Sequence, residues 1–233
     1  MLPARNLLLF AVLSVVFAGF GRAVRGVTTS GAITGAIVCF ALLLATGFGG
    51  FAALLTVFLV TWASTRFGYV KKQRLGTAEA QSGRNASQVA ANLGTAALCA
   101  IGLVVLPNQR WLVAIAAALA EAAADTVSSE IGQAIGGEPR LVTSWKRVAP
   151  GTNGAVTLFG SLAGAMAAAA VALVCYGTAL FGSRSALVCA MAGISGMVAD
   201  SFFGATVERR ELLGNNGVNF ISTAIAAAVA LVI

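Results

Sequence analysis

Most of this 233-residue chain is cut into apolar runs of about bilayer length, separated by short basic loops. A membrane-crossing helix needs about 20 apolar residues. Such runs lie at about 6–20, 29–46, 50–66, 87–106, 110–134, 154–178, 184–205 and 217–233. The chain is 58% hydrophobic and 10% charged, whereas a soluble domain carries about a quarter charged residues. The pattern predicts an all-α fold, a polytopic transmembrane helical bundle of 7–8 spans. The range of counts comes from Gly47-Phe48-Gly49-Gly50, which leaves very little turn between the second and third runs.

The loop charges orient the bundle. With eight spans, one side receives Arg22, Arg25, Arg66, Lys71, Lys72, Arg74, Arg84, Arg140, Lys146, Arg147, Arg209 and Arg210, and the other only Arg5, Arg110 and Arg184. Positive loops stay in the cytoplasm, so the basic loops are expected there and both termini outside. The net charge of +7 is thereby accounted for without a nucleic-acid partner. The expected organisation is an N-terminal helix and basic loop over 1–28. A single transmembrane domain over 29–233 follows, with motif loops at 67–86, 135–153 and 206–216. The first run is followed by Gly21-Arg22-Ala23-Val24-Arg25 and further spans, so it reads as a helix rather than a cleaved signal. Histidine is absent, which removes imidazole acid–base chemistry and the usual zinc sites. The four cysteines stand singly in apolar runs and read as small packing residues. Gly31-x-x-x-Gly35 and Gly160-x-x-x-Gly164 read as close helix contacts.

One run breaks the apolar rule. Glu121, Asp125 and Glu130 lie inside the fifth, with Glu121 and Asp125 four apart and so on one helix face. If the helix ends near Ala134, Asp125 lies about 13 Å inside it and Glu121 about 6 Å deeper. Buried acids of this kind need partners, either polar packing between helices or a cation- or proton-linked site. A related pattern recurs. Ala124-Asp125-Thr126 precedes a basic loop and Gly151-Thr152-Asn153-Gly154, and Ala199-Asp200-Ser201 precedes another and Gly214-Asn215-Asn216-Gly217-Val218-Asn219. A third opening, Gly83-Arg84-Asn85-Ala86-Ser87-Gln88 and then Asn92, follows a run that ends in hydroxyls without an acid. The expected architecture is a set of internal helix-pair repeats whose polar ends converge on the cytoplasmic side.

Asparagine at a helix start is either an N-cap or part of an anion-binding end with free backbone N–H groups. The candidate phosphate-binding set is Arg84, Asn85, Gln88, Asn92, Lys146, Arg147, Gly151, Asn153, Gly154, Asn215, Asn216 and Asn219. Asp200, Gly204 and Glu208 share a face, and Glu208, Glu121 and Glu130 join the two aspartates as candidate catalytic acids. Asp125, Asp200 and Glu130 are the candidate ligands for Mg²⁺, which takes a few carboxylates plus substrate phosphate oxygens. No Gly-x-x-x-x-Gly-Lys-Ser/Thr loop and no protein-kinase signature is present, so phosphoryl transfer here would use another design.

These strings, together with Thr143-Ser144-Trp145-Lys146-Arg147-Val148-Ala149-Pro150 and Asn215-Asn216-Gly217-Val218-Asn219-Phe220, resemble the DUF92/TMEM19 family of integral membrane proteins from about residue 30 onward. The plant member of that family is similar to a phytyl-phosphate kinase of chloroplast membranes, and the family resembles CTP-dependent polyprenol kinases. The resemblance implies Mg-dependent phosphorylation of an isoprenoid (phytyl or prenyl) monophosphate to the diphosphate. The donor is a nucleoside triphosphate, CTP favoured over UTP or ATP. The location it implies is a cell membrane or a thylakoid-type membrane, with the active site facing the cytoplasm. Homo-oligomers are compatible with it. The alternatives are an ion-coupled transporter, whose buried acids would sit in broken helices, and a related lipid phosphate nucleotidyltransferase.

Overall fold

The computed structural model describes residues 4–233, so the first three residues of the expected N-terminal unit lie outside it. Seven helices are long and apolar enough to cross a membrane. They are α1 (Ala4–Ala23), α2 (Thr29–Arg66), α4 (Ala86–Val105), α5 (Gln109–Ile135), α6 (Leu158–Gly177), α7 (Ser183–Thr206) and α8 (Asn215–Val232). A short helix, α3 (Tyr69–Leu75), follows α2 within the expected loop 67–86.

α2 resolves the span count. Its 38 residues would run about 57 Å if straight, nearly twice the hydrocarbon thickness of about 30 Å. Gly47 interrupts it with φ 62° and ψ −148°, a conformation that a side chain would resist. The two arms fold back on each other. Val24, just before α2, accepts hydrogen bonds from Trp62 Nε1 (3.2 Å) and Arg66 Nη2 (2.7 Å) near the helix's far end. The Phe58 ring also packs where a Cβ on Gly26 would stand. Each arm is about 27 Å long, so α2 crosses twice and the higher expected count, eight crossings, follows.

α5 is the centre of the bundle and packs against α2, α4, α6, α7 and α8. From Val113 to Ala124 every residue is buried, so no face of this part meets lipid. The alanine run makes that position possible. Helix association in lipid depends on close packing, and small side chains let five neighbours approach one axis. Glycines on the partners complete the fit: a Cβ on Gly193 of α7 would stand 2.8 Å from Ala120 Cβ, and one on Gly164 of α6 would stand 2.7 Å from the Ala124 carbonyl. The large exposed side chains, among them Val15, Ile37, Leu98, Leu173 and Leu187, lie on the outer helices, where lipid replaces water as solvent.

Helix ends are closed locally. Asn85 and Gln88 form a reciprocal capping box on α4, and Thr157 caps α6 by accepting from Gly160 N (3.1 Å). The expected start of the sixth span at 154 is therefore corrected to 158. Residues 155–156 instead form strand β2 (Ala155–Val156), paired antiparallel with β1 (Arg140–Leu141) in the loop after α5. Gly154, with φ 74°, lets this loop rest on the end of α7, where a Cβ would stand 2.3 Å from Ala205 N.

Candidate active site

The acids on α5 and α7 meet. Asp125 and Asp200 bring their carboxyl groups within hydrogen-bonding reach across the α5–α7 interface, and Glu121 and Glu208 lie close enough to act on them electrostatically. The small residues between the helices allow this approach: a Cβ on Gly196 would stand 2.5 Å from Glu121 Cγ. Ser222 of α8 donates to Asp200 Oδ2 (3.1 Å). Glu121 is 1% exposed and its Oε1 is buried without a hydrogen-bond partner. Arg84 is the cation that acts on this group. Its Nη2 donates to Thr126 Oγ1 (3.3 Å) and its guanidinium acts on Asp125. Ser222 and Gly196 are not among the sequence candidates, and Thr126 stands there only as the hydroxyl residue after Asp125. Ser222 had a usable signal, standing three residues after Asn219 on one helix face.

Asp125 and Asp200 open into a polar cavity of about 380 Å³. Ser128, Gln133, Gly151, Asn153, Gly154, Thr157, Ser201, Glu208 and Asn215 also line it. Gly214 starts α8 with no side-chain cap, so the first-turn N–H groups beside Asn215 are not claimed by a side chain. The candidate residues gathered here are thus Asp125, Asp200, Glu208, Gly151, Asn153, Gly154 and Asn215, with Glu121 buried behind them.

Several expectations are corrected. Glu130 borders the cavity but pairs with the fully buried Lys72 of α3, and its Oε1 accepts from Thr65 Oγ1 (3.2 Å), so its carboxylate is already committed. Lys72 is accordingly not a loop charge; its Nζ also donates to the carbonyls of Ser64 (3.0 Å) and Thr65 (2.8 Å), closing the end of α2. Asn85 and Gln88 are occupied as caps, and Gln88 Nε2 reaches Glu79 (3.3 Å). Lys146 and Arg147 do not line the cavity. Arg147 instead pairs with Glu138 (2.7 Å) on the exposed face of the loop. Asn153 lines the cavity from a turn, not from a helix start. Asn92 and Asn219 face each other inside the bundle (3.5 Å), and Asn216 donates to Ser87 (3.2 Å). These three tie α8 to α4. Of the two glycine patterns, Gly160 and Gly164 meet α5, but a Cβ on Gly35 would meet nothing within 4 Å.

Among the described residues, no three Asp, Glu, Cys or His side chains close around one point as a complete metal-ligand set. The Asp125–Asp200 pair still fits Mg²⁺. That ion is usually held by one or two carboxylates, with substrate phosphates and water supplying the rest. The buried acids have a single guanidinium as cationic neighbour, so ionising them together calls for a further cation.

A second cavity, of about 500 Å³, lies between α1, α2 and α4. Phe17, Leu54, Val57 and Phe58 give it apolar walls, Gly35 stands on its α2 side, and Arg25, Arg66 and Arg84 are its cations. Arg84 therefore borders this cavity along one side and approaches Asp125 with its head group.

The family comparison agrees with this architecture. The model described as integral membrane protein DUF92 matches residues 12–227. Uncharacterized membrane protein MJ0933 of Methanocaldococcus jannaschii is 35% identical over 210 residues, covering 90% of this chain and 86% of that protein. Uncharacterized membrane protein sll0875 of Synechocystis is 35% identical over 192 residues, covering 80% and 74%. Protein VTE6, chloroplastic, of Arabidopsis thaliana is 29% identical over 238 residues, covering 98% and 69%. No solved structure matches significantly. With a family model covering nearly its whole length and a central helix bearing buried acids, this chain belongs to the DUF92 family of integral membrane proteins.

Proposed function

We propose that this protein transfers a phosphoryl group from a nucleoside triphosphate, CTP favoured, to an isoprenoid monophosphate. The observation that carries the reading is the meeting of Asp125 and Asp200 on the floor of a polar cavity, with Arg84 beside them. Likeness to the chloroplast protein VTE6 supports it at the level of the family. In the reaction, an anionic oxygen of the acceptor phosphate attacks the terminal phosphorus of the donor, a new P–O bond forms, and the bond to the bridging oxygen breaks to release the nucleoside diphosphate. Phosphoryl transfer asks a protein mainly for alignment and for stabilisation of spread negative charge. Arg84 positions the acceptor phosphate, and the start of α8 at Asn215, which no side chain caps, faces donor phosphates. Asp125 and Asp200 would hold Mg²⁺, which when bound neutralises phosphate charge. No general base is needed, because the acceptor phosphate is already anionic near neutral pH. The basic loops around the cavity favour a cytoplasmic opening, where soluble nucleotide is present. Along α5, Val113 to Ala120 are buried and carry no polar side chain, which favours this reading over ion-coupled transport along that helix.

The test uses the purified protein in nanodiscs with Mg²⁺, CTP labelled at the terminal phosphate, and phytyl monophosphate. Labelled phytyl diphosphate is the expected product. Asp125→Asn and Asp200→Asn should fold and lose transfer by at least about 100-fold. Near-normal transfer in either folded variant would remove that residue from the site, and a cytidylylated lipid product would favour nucleotidyl transfer instead.

A further inference from the structure

We infer that the apolar cavity between α1, α2 and α4 is the tail subsite for the lipid acceptor, and that Gly35 sets how much tail it admits. The inference rests on the proposed phosphate-transfer site, but its chemistry is legible separately. The cavity is of ligand size, about 500 Å³, within the range of pockets that bury small molecules. Its deeper walls are aromatic and aliphatic, and at the end where the loops meet Arg25, Arg66 and Arg84 outnumber the single acid Glu79. An apolar body with a cationic rim fits a single-chain lipid carrying an anionic head, and the phosphate of an isoprenoid monophosphate meets both requirements.

Arg84 makes the link to the polar site. Its backbone is fixed on both sides: Arg84 N donates to Gly26 O (3.0 Å), and its carbonyl accepts from Thr28 N (2.9 Å). A Cβ on Gly31 would stand 2.2 Å from that carbonyl, so the glycine permits the contact. With its backbone held, Arg84 lines the apolar cavity, donates from Nη2 to Thr126, the residue next to Asp125, and acts on Asp125 electrostatically. A phosphate bound on that guanidinium would approach Asp125 from the side of Thr126 while its chain runs back between α1 and α2. The cavity also explains Gly35, which belongs to a small-residue pattern yet has no atom within 4 Å of where its Cβ would stand. A side chain there would enter space that is otherwise open.

The test separates subsite from activity. Wild-type protein in phosphatidylcholine nanodiscs is labelled with phytyl monophosphate carrying a diazirine on its chain, and the labelled peptides are mapped. Label is expected on the segments containing Phe17 and Phe58, and inorganic phosphate should not compete it away as phytyl monophosphate does. Gly35→Phe should cut the labelling by at least about tenfold, an order expected when a buried ligand loses its space. Ala18→Leu, which narrows the cavity from α1, should reduce it in the same direction. Gly19→Phe adds the same ring outside the cavity, where a Cβ meets nothing within 4 Å, and should leave labelling unchanged. In the transfer assay, Gly35→Phe should raise KM for phytyl monophosphate. Label on other segments would overturn the subsite. So would labelling indifferent to both substitutions, or equal competition by phosphatidylglycerol. Label at Phe17 and Phe58 without transfer to any acceptor would keep the subsite and refute the kinase reading.

Discussion

Removing the Lys72 ammonium is the sharpest single perturbation of this fold. Lys72 is fully buried, and its Nζ serves three acceptors at once: the Ser64 carbonyl at 3.0 Å, the Thr65 carbonyl at 2.8 Å and the Glu130 carboxylate. Lys72→Met keeps much of the side-chain length and leaves Glu130 charged with only the Thr65 hydroxyl at 3.2 Å as a side-chain partner. Breaking a buried ion pair from one side costs about 3–5 kcal/mol, because the remaining charge is stranded. At roughly 2–4 °C per kcal/mol for a chain of this size, the midpoint should fall by roughly 6–20 °C. Thermal unfolding in detergent, followed by intrinsic fluorescence, measures this directly. Lys72→Met with Glu130→Leu removes both charges and should recover most of the loss, since no charge is then left unpaired. The double variant should also retain Mg²⁺-dependent transfer, because Glu130 is placed outside the catalytic pair. A midpoint for Lys72→Met within about 2 °C of wild type, or a double variant as unstable as the single one, would refute the reasoning.

Two further comparisons test the packing and the relocated anion site. Gly196→Ala places a Cβ 2.5 Å from Glu121 Cγ and 2.8 Å from the Ser222 carbonyl, and overpacking of that kind costs about 1–3 kcal/mol. Gly35→Ala meets nothing within 4 Å and should be neutral or stabilising by up to about 1 kcal/mol, from the helix preference for alanine. Thermal midpoints of the two variants decide between them, and equal losses would overturn the contrast. Arg84→Ala should weaken lipid-phosphate binding about tenfold or more, as expected for a lost charge-assisted contact, while Arg147→Ala should leave it unchanged because that side chain pairs with Glu138 on the exposed face. Isothermal titration with phytyl monophosphate in micelles reads both. Equal weakening would return the site to the 135–153 loop.

Much of the architecture was present in the residue order. Run length and low charge led to a helical membrane bundle of 7–8 spans, because in lipid only elements that satisfy their own backbone can cross. The buried acids on α5 were legible for the same reason: a carboxylate inside an apolar run is costly and stands out against its neighbours. The pairing of Asp125 with Asp200 followed from two similar local strings, and the structure brings the two side chains together.

What the sequence could not supply was the fate of each charge and each gap once the helices packed. Lys72 and Arg147 read alike as loop cations, yet one is buried under α2 and the other lies in the open loop. Glu130 and Asp125 read alike as acids on one helix, five residues apart. That offset turns them about 140° from each other, so one meets Lys72 and the other meets Asp200. Gly35 and Gly164 read alike as small contact residues, and only the placement of a neighbouring helix makes one a contact and the other a cavity wall. Local strings set which residues are polar, small or charged. Which partner each one meets is decided by rotation and separation of helices distant in the chain, and periodicity within one helix carries no record of that.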